Sequence, residues 1–227
     1  MSIQNSLAGL LALLPPTVKL IAVSKNQPVS DILEAYQFGQ RRFGENKVQE
    51  LLRKQAVLPA DIEWHFIGHL QTNKVRELIP FIHLIQSIDS MKLLNEVNKE
   101  ASRLNRVVDC LLELHIATED TKFGLDLSEA RRLLESEDYR MMKNVRITGL
   151  MGMATFTPNV DCIRNEFRLL HHYFQILQED YFPGEPDFAE ISMGMSDDFP
   201  IAVEEGSTIV RIGTAIFGER KEIQNLS

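Results

Sequence analysis

Eight short apolar runs, amphipathic stretches between them and no glycine-rich nucleotide loop predict an α/β protein, a single (β/α)8 barrel. The runs are Leu20–Lys25, Arg42–Glu45, Trp64–Gly68, Leu84–Ile88, Cys110–Ile116, Ile147–Ala154, Ala189–Met193 and Thr208–Ile212. Several are continuously apolar rather than alternating, as strands covered on both faces are. An open doubly wound sheet is the competing arrangement. Against it, no GxGxxG follows an early strand and no phosphate-loop sequence occurs. With 227 residues the chain lies near the short end of the barrel range, roughly 200 residues and upward.

The elements follow in order. A surface helix over about residues 1–14 comes first, and Pro15 and Pro16 end it, because proline has no N–H to donate. The stretch LAGLLALLPP has no basic segment before it and no small-residue cleavage site, so it reads as that helix rather than as a secretion signal. After the fourth strand, Met91, Leu94, Val97, Ala101 and Leu104 recur at spacings of three and four, with Ser90 placed to cap the helix they define. Ile163, Phe167, Leu170, Phe174 and Leu177 repeat the pattern before the seventh strand. After that strand, Ser196-Asp197-Asp198 supplies a cap and acidic residues for another helix, and Gly206 its end. No linker, low-complexity tract or repeat interrupts the chain, so residues 1–227 read as one domain.

A net charge of −8 argues against binding nucleic acid or anionic membrane, both of which need basic faces. No apolar run is long enough to span a bilayer. Cys110 and Cys162 lie far apart and form no CxxC pair, which fits reduced thiols in a cytoplasmic protein.

The chemistry begins with IAVSKNQPV, where an apolar strand ends on Lys25. In a barrel this end opens onto the functional face. Partial burial there lowers a lysine's pKa, and a neutral amine can attack an aldehyde to form a Schiff base. A lysine that merely snorkels its ammonium into solvent is the plainer reading of that residue alone. The last strand adds weight. Arg211 sits within the apolar run Ile209–Ile212, where a buried guanidinium needs an acceptor, and Gly213-Thr214 follow it. The seventh strand contributes Ser192, Gly194 and Ser196 nearby. Phosphate sites in barrels often use the loops after strands seven and eight, and strand eight closes against strand one. A lysine, phosphate donors and a buried arginine together describe a site for pyridoxal 5′-phosphate (PLP).

AVSK at Ala22–Lys25, FGEN at Phe43–Asn46, WHFIGHLQTNK at Trp64–Lys74, SMGMSDD at Ser192–Asp198 and RIGTAIFG at Arg211–Gly218 resemble the pyridoxal-phosphate homeostasis protein family over nearly the whole chain. That resemblance implies a barrel similar to the barrel domain of alanine racemases. It implies bound PLP held as a Lys25 aldimine, Ser192, Gly213 and Thr214 on the phosphate, Arg211 facing the pyridine nitrogen, and Asn46 lining the pocket. It also implies a non-catalytic carrier or regulator in vitamin B6 and amino-acid homeostasis. A chain without the racemase's second domain is expected to be a monomer, with PLP, other B6 vitamers and, transiently, PLP apo-enzymes as its expected partners.

Two enzymatic readings compete with the carrier. One is a PLP-dependent racemase or lyase; the other is a Schiff-base aldolase without cofactor. A racemase needs an acid/base group on each face of the cofactor, and in the alanine racemases the second is a tyrosine from a partner subunit's added domain. Tyr36, Tyr139, Tyr173 and Tyr181 are all expected in helices or connections, away from the mouth. No metal site is expected: His65 and His69 have the spacing of a helical pair, but their segment reads as a strand and a turn. Lys122 is expected in a solvated loop after the fifth strand.

Overall fold

The computed structural model describes residues 2–118 and 124–218. Eight parallel strands close in chain order into a barrel, β1 pairing with β2 on one side and with β8 on the other. They are β1 (Lys19–Val23), β2 (Arg42–Glu45), β3 (Glu63–Phe66), β4 (Leu84–Ile88), β5 (Val108–Leu114), β6 (Val145–Gly152), β7 (Glu190–Ser192) and β8 (Ile209–Ile212). The surrounding helices are α1 (Ile3–Leu13), α2 (Val29–Gln37), α3 (Val48–Gln55), α4 (Val75–Leu78), α5 (Met91–Arg103), α6 (Leu127–Glu135), α7 (Glu137–Met141), α8 (Val160–Tyr181), α9 (Phe199–Glu204) and α10 (Thr214–Phe217). No helix among the described residues is long and apolar enough to cross a membrane.

All eight expected strands are present, but several stop two residues short of the apolar run that announces them. Ser24, Ile116 and Met193 lie past the last ladder residue and are still buried, because the loops fold over the barrel end. Lys25 therefore stands in a turn two residues beyond β1 rather than at its end.

Strand side chains alternate between two cores. Ile21, Leu84, Leu111, Met151 and Ile209 meet inside the barrel. Their neighbours Leu20, Ala22, Ile85, Leu112, Leu150 and Val210 join the larger core between strands and helices. Both faces are apolar, which is why the strands read as continuous runs.

The helix caps follow their residues. Ser90 Oγ accepts from the Leu93 N–H at 3.3 Å, as its position before α5 predicts. Ser196, in contrast, does not cap α9. The cap position is Asp198, whose carboxylate turns back to accept from the Met195 N–H at 2.5 Å. Pro200 in the first turn offers no N–H there. Gly206, at φ 94°, ends α9 as expected.

Gly149 marks the register shift between β5 and β6. A Cβ there would lie 1.8 Å from the Glu190 carbonyl oxygen across the β6–β7 ladder. Gly149→Ala must push those strands apart. We expect a loss of about 3 kcal/mol or more, read as a lower urea midpoint.

Candidate functional site

The β1–β8 seam brings the expected residues together. Ala22 pairs with Ile212, so the chain leaving β8 at Gly213 runs beside the chain leaving β1. A Cβ on Gly213 would stand 3.2 Å from the Val23 carbonyl oxygen, a tight approach that a larger residue would keep only if β1 gave way slightly. Lys25, two residues on from Val23, is half-buried, and Thr214 is exposed at the mouth. On the other side β2 pairs Gly44 with Val23, and Asn46 follows Glu45, the last residue of β2. Asn46 lines a cleft of about 190 Å³ with Phe66, His69 and Lys74.

Arg211 enters the barrel from β8 and is buried. Its Nη1 donates to Ser192 Oγ at 2.6 Å and its Nη2 to the Gly152 carbonyl at 3.1 Å. Ser192 donates in turn to Gln86 Oε1 at 2.6 Å. Gln86 Nε2 lies 2.9 Å from His65 Nδ1 and, with Oε1 engaged by the serine, donates to it. A polar chain thus crosses the barrel interior from Arg211 to His65. Burial holds His65 well below its ordinary pKa, so it is neutral. Ser192, expected on a phosphate, is buried as the last residue of β7, where its hydroxyl accepts from Arg211 and donates to Gln86. The serine beside the Gly213 turn is Ser196, whose Oγ lies 3.5 Å from the Ala215 nitrogen.

Two acids face Arg211. Glu113, buried on β5, is pushed up to about 7, first by burial and then by Asp89, against the pull of Arg211 and His69. Asp198 is also raised, again by burial first, with Arg211 pulling it down. Their charges offset the cost of burying Arg211, whose own pKa burial brings to about 10. The guanidinium stays charged at neutral pH.

Other expectations resolve by position. The four tyrosines lie in helices: Tyr36 in α2, Tyr139 in α7, Tyr173 and Tyr181 in α8. The side chains of His65 and His69 diverge, the first joining Gln86 inside the barrel, the second meeting Asp89 Oδ2 at 3.1 Å. At the opposite barrel end, Glu63, His65 and His83 each bring one potential ligand atom within 4.8 Å of the others. Glu63 there is already paired with Arg42, whose Nε lies 2.8 Å from its Oε2. Lys122 falls outside the described residues.

This architecture is that of an alanine racemase-type barrel: the family model described as alanine racemase, N-terminal domain, matches residues 2–221. More narrowly, the chain belongs to the pyridoxal phosphate homeostasis protein family. It is 43% identical over 205 residues to the family's protein from Aquifex aeolicus (strain VF5), covering 89% of this chain and 87% of that one. It is 39% identical over 213 residues to the protein from Homo sapiens, covering 89% and 76%. Among solved structures, PipY of Synechococcus elongatus PCC7942, determined with PLP bound, is 38% identical with a TM-score of 0.85, covering 95% of this chain and all of that one.

Proposed function

We propose that this protein binds PLP at the β1–β8 mouth and holds it covalently on Lys25, as a non-catalytic carrier or regulator in vitamin B6 and amino-acid homeostasis. The observation that carries the reading is the meeting, at one seam, of the Lys25 turn, the Gly213-Thr214 turn and the buried Arg211 guanidinium. The donor set fits the cofactor: an amine for the aldehyde, hydroxyls and backbone N–H groups for the phosphate, a guanidinium for the ring nitrogen. PLP in the PipY structure supports the same reading.

When bound, PLP supplies an aldehyde that an amine can hold with loss of water, and an electron-withdrawing ring. In the proposal Ser192, Gly213 and Thr214 hold the phosphate and Asn46 lines the pocket. Ser192 also accepts from Arg211, which helps to hold the guanidinium toward the ring nitrogen. An arginine has only donors and keeps its protons, so it disfavours a protonated ring nitrogen and leaves a weak electron sink. The tyrosines in helices supply no second acid/base group at the mouth. Both points favour reversible holding over turnover. The proposal extends to a cytoplasmic monomer of one barrel domain over residues 1–227, with a mouth open to other B6 vitamers and to apo-enzymes that receive the cofactor.

The test is chemical. Borohydride reduction of the PLP-loaded protein followed by peptide mapping should place a phosphopyridoxyl group on Lys25, and Lys25→Ala should lose the visible band. A label on another lysine defeats the assignment. Hand-over to an apo-enzyme no faster than free exchange would defeat the carrier role, and α-proton exchange on a single amino-acid enantiomer would favour the racemase.

A further inference from the structure

Lys25 is flanked by two residues that buried charged side chains fasten in place. Before it stands Ser24, fully buried. After it stands Asn26, at φ 60°, in the left-handed region that asparagine enters more readily than other residues with a side chain. Glu45, the last residue of β2, accepts from Ser24 Oγ at 2.6 Å. Glu50 of α3 accepts from the Asn26 backbone N–H, also at 2.6 Å. Lys54, one helical turn beyond Glu50, donates to the Ser24 carbonyl at 2.6 Å and to both glutamates at 2.7 Å. The backbone on each side of Lys25 is therefore anchored to β2 and α3.

Stability alone does not account for this cluster. Two carboxylates and one ammonium are buried together with an excess negative charge, and Glu45 Oε2 has no hydrogen-bond partner among the described residues. Apolar side chains of similar volume usually serve a core as well or better. What the charged groups provide is directional: three strong hydrogen bonds to the two residues that carry Lys25. The left-handed turn at Asn26 presents its N–H to Glu50.

We infer that Glu45, Glu50 and Lys54 are positioning residues that aim Lys25 at the aldehyde by fixing Ser24 and Asn26. The inference rests on Lys25 being the residue that takes the aldehyde. Glu50 and Lys54 act through the backbone and Glu45 through the Ser24 hydroxyl, and their removal should change how fast Lys25 captures PLP.

Glu50 gives the cleanest test. Glu50→Ala removes the acceptor for the Asn26 N–H and leaves Lys54 paired with Glu45. Glu50→Gln keeps an acceptor oxygen in place. Cofactor-free wild type and variants would be mixed with PLP, growth of the visible band followed by stopped flow, and the site of attachment fixed by borohydride and mapped. We expect Glu50→Ala to load Lys25 roughly tenfold to a hundredfold more slowly, Glu50→Gln to restore most of the rate, and the cofactor-free melting temperatures to stay close together. Loading by Glu50→Ala at the wild-type rate overturns the inference. A wild-type label on another lysine overturns the Lys25 assignment and the inference with it, so the two failures are told apart. If Glu50→Ala melts too low to assay, Glu50→Asp, which keeps the charge but draws the carboxylate back from Asn26, carries the same expectation.

Discussion

Lys54→Met is expected to destabilise the protein by roughly 3–5 kcal/mol at mildly alkaline pH and by clearly less in mild acid. Lys54 is bonded to both Glu45 and Glu50, and all three are buried. Burial is the main influence on Glu45 and pushes its pKa up; the charge and hydrogen bond of Lys54, then the Ser24 hydroxyl, pull it back. Without Lys54 the upward push is barely opposed. A carboxyl whose folded pKa exceeds its unfolded value costs stability as pH rises toward that folded value, because the folded state then gives up a proton it holds more tightly. The Lys54→Met penalty should therefore grow with pH and shrink as acid neutralises Glu45. Urea midpoints for wild type and variant from pH 5 to pH 8 test this. Two curves that run parallel would mean that Lys54 contributes packing and not charge. The same variant frees the Ser24 carbonyl, so slower capture of PLP should accompany the lost stability.

The barrel is legible in the sequence because its strands are apolar on both faces and its helices on one. Arg211 is legible for a related reason: a full charge inside the run Ile209–Ile212 stands out. Gln86 in β4 and Glu113 in β5 carry the same signal, a polar residue within an apolar run, and they prove to line the interior with Arg211. Their partnership is not legible, since the contact between Gln86 and Ser192 spans 106 residues and depends on closure. Ser192 and Ser196 show the finer limit. They are four residues apart: Ser192, the last residue of β7, turns into the barrel, and Ser196 lies past the strand with its Oγ 3.5 Å from the Ala215 nitrogen. The support of Lys25 is hidden for another reason. Glu50 and Lys54 read as an ordinary surface pair on an amphipathic helix, and only the packing of α3 against the first turn buries them.

Glu113→Gln is expected to make the protein more stable than wild type above neutral pH, by up to roughly 3 kcal/mol, and to lose that advantage in acid. Burial and Asp89 raise Glu113 from 4.5 to about 7, a gap worth roughly 3 kcal/mol between its two protonation states. Below the unfolded value the carboxyl is protonated in both states and costs nothing. Between that value and about 7 the folded state keeps its proton, the unfolded state loses it, and wild-type stability falls as pH rises. A glutamine never ionises, so this part of the slope should vanish while Asp198 still faces Arg211. Parallel melting curves across pH 4 to 9 would show that Glu113 does not titrate in this range. The wild-type cost has a counterpart at the cofactor. Ionised Glu113 lowers the potential around Arg211, which the proposed function points at the ring nitrogen. The visible band of the loaded wild type should therefore shift with a midpoint near 7, and that of Glu113→Gln should not. A shift retained in Glu113→Gln would assign the titration to another group near Arg211, and Asp198 would then be the next to replace.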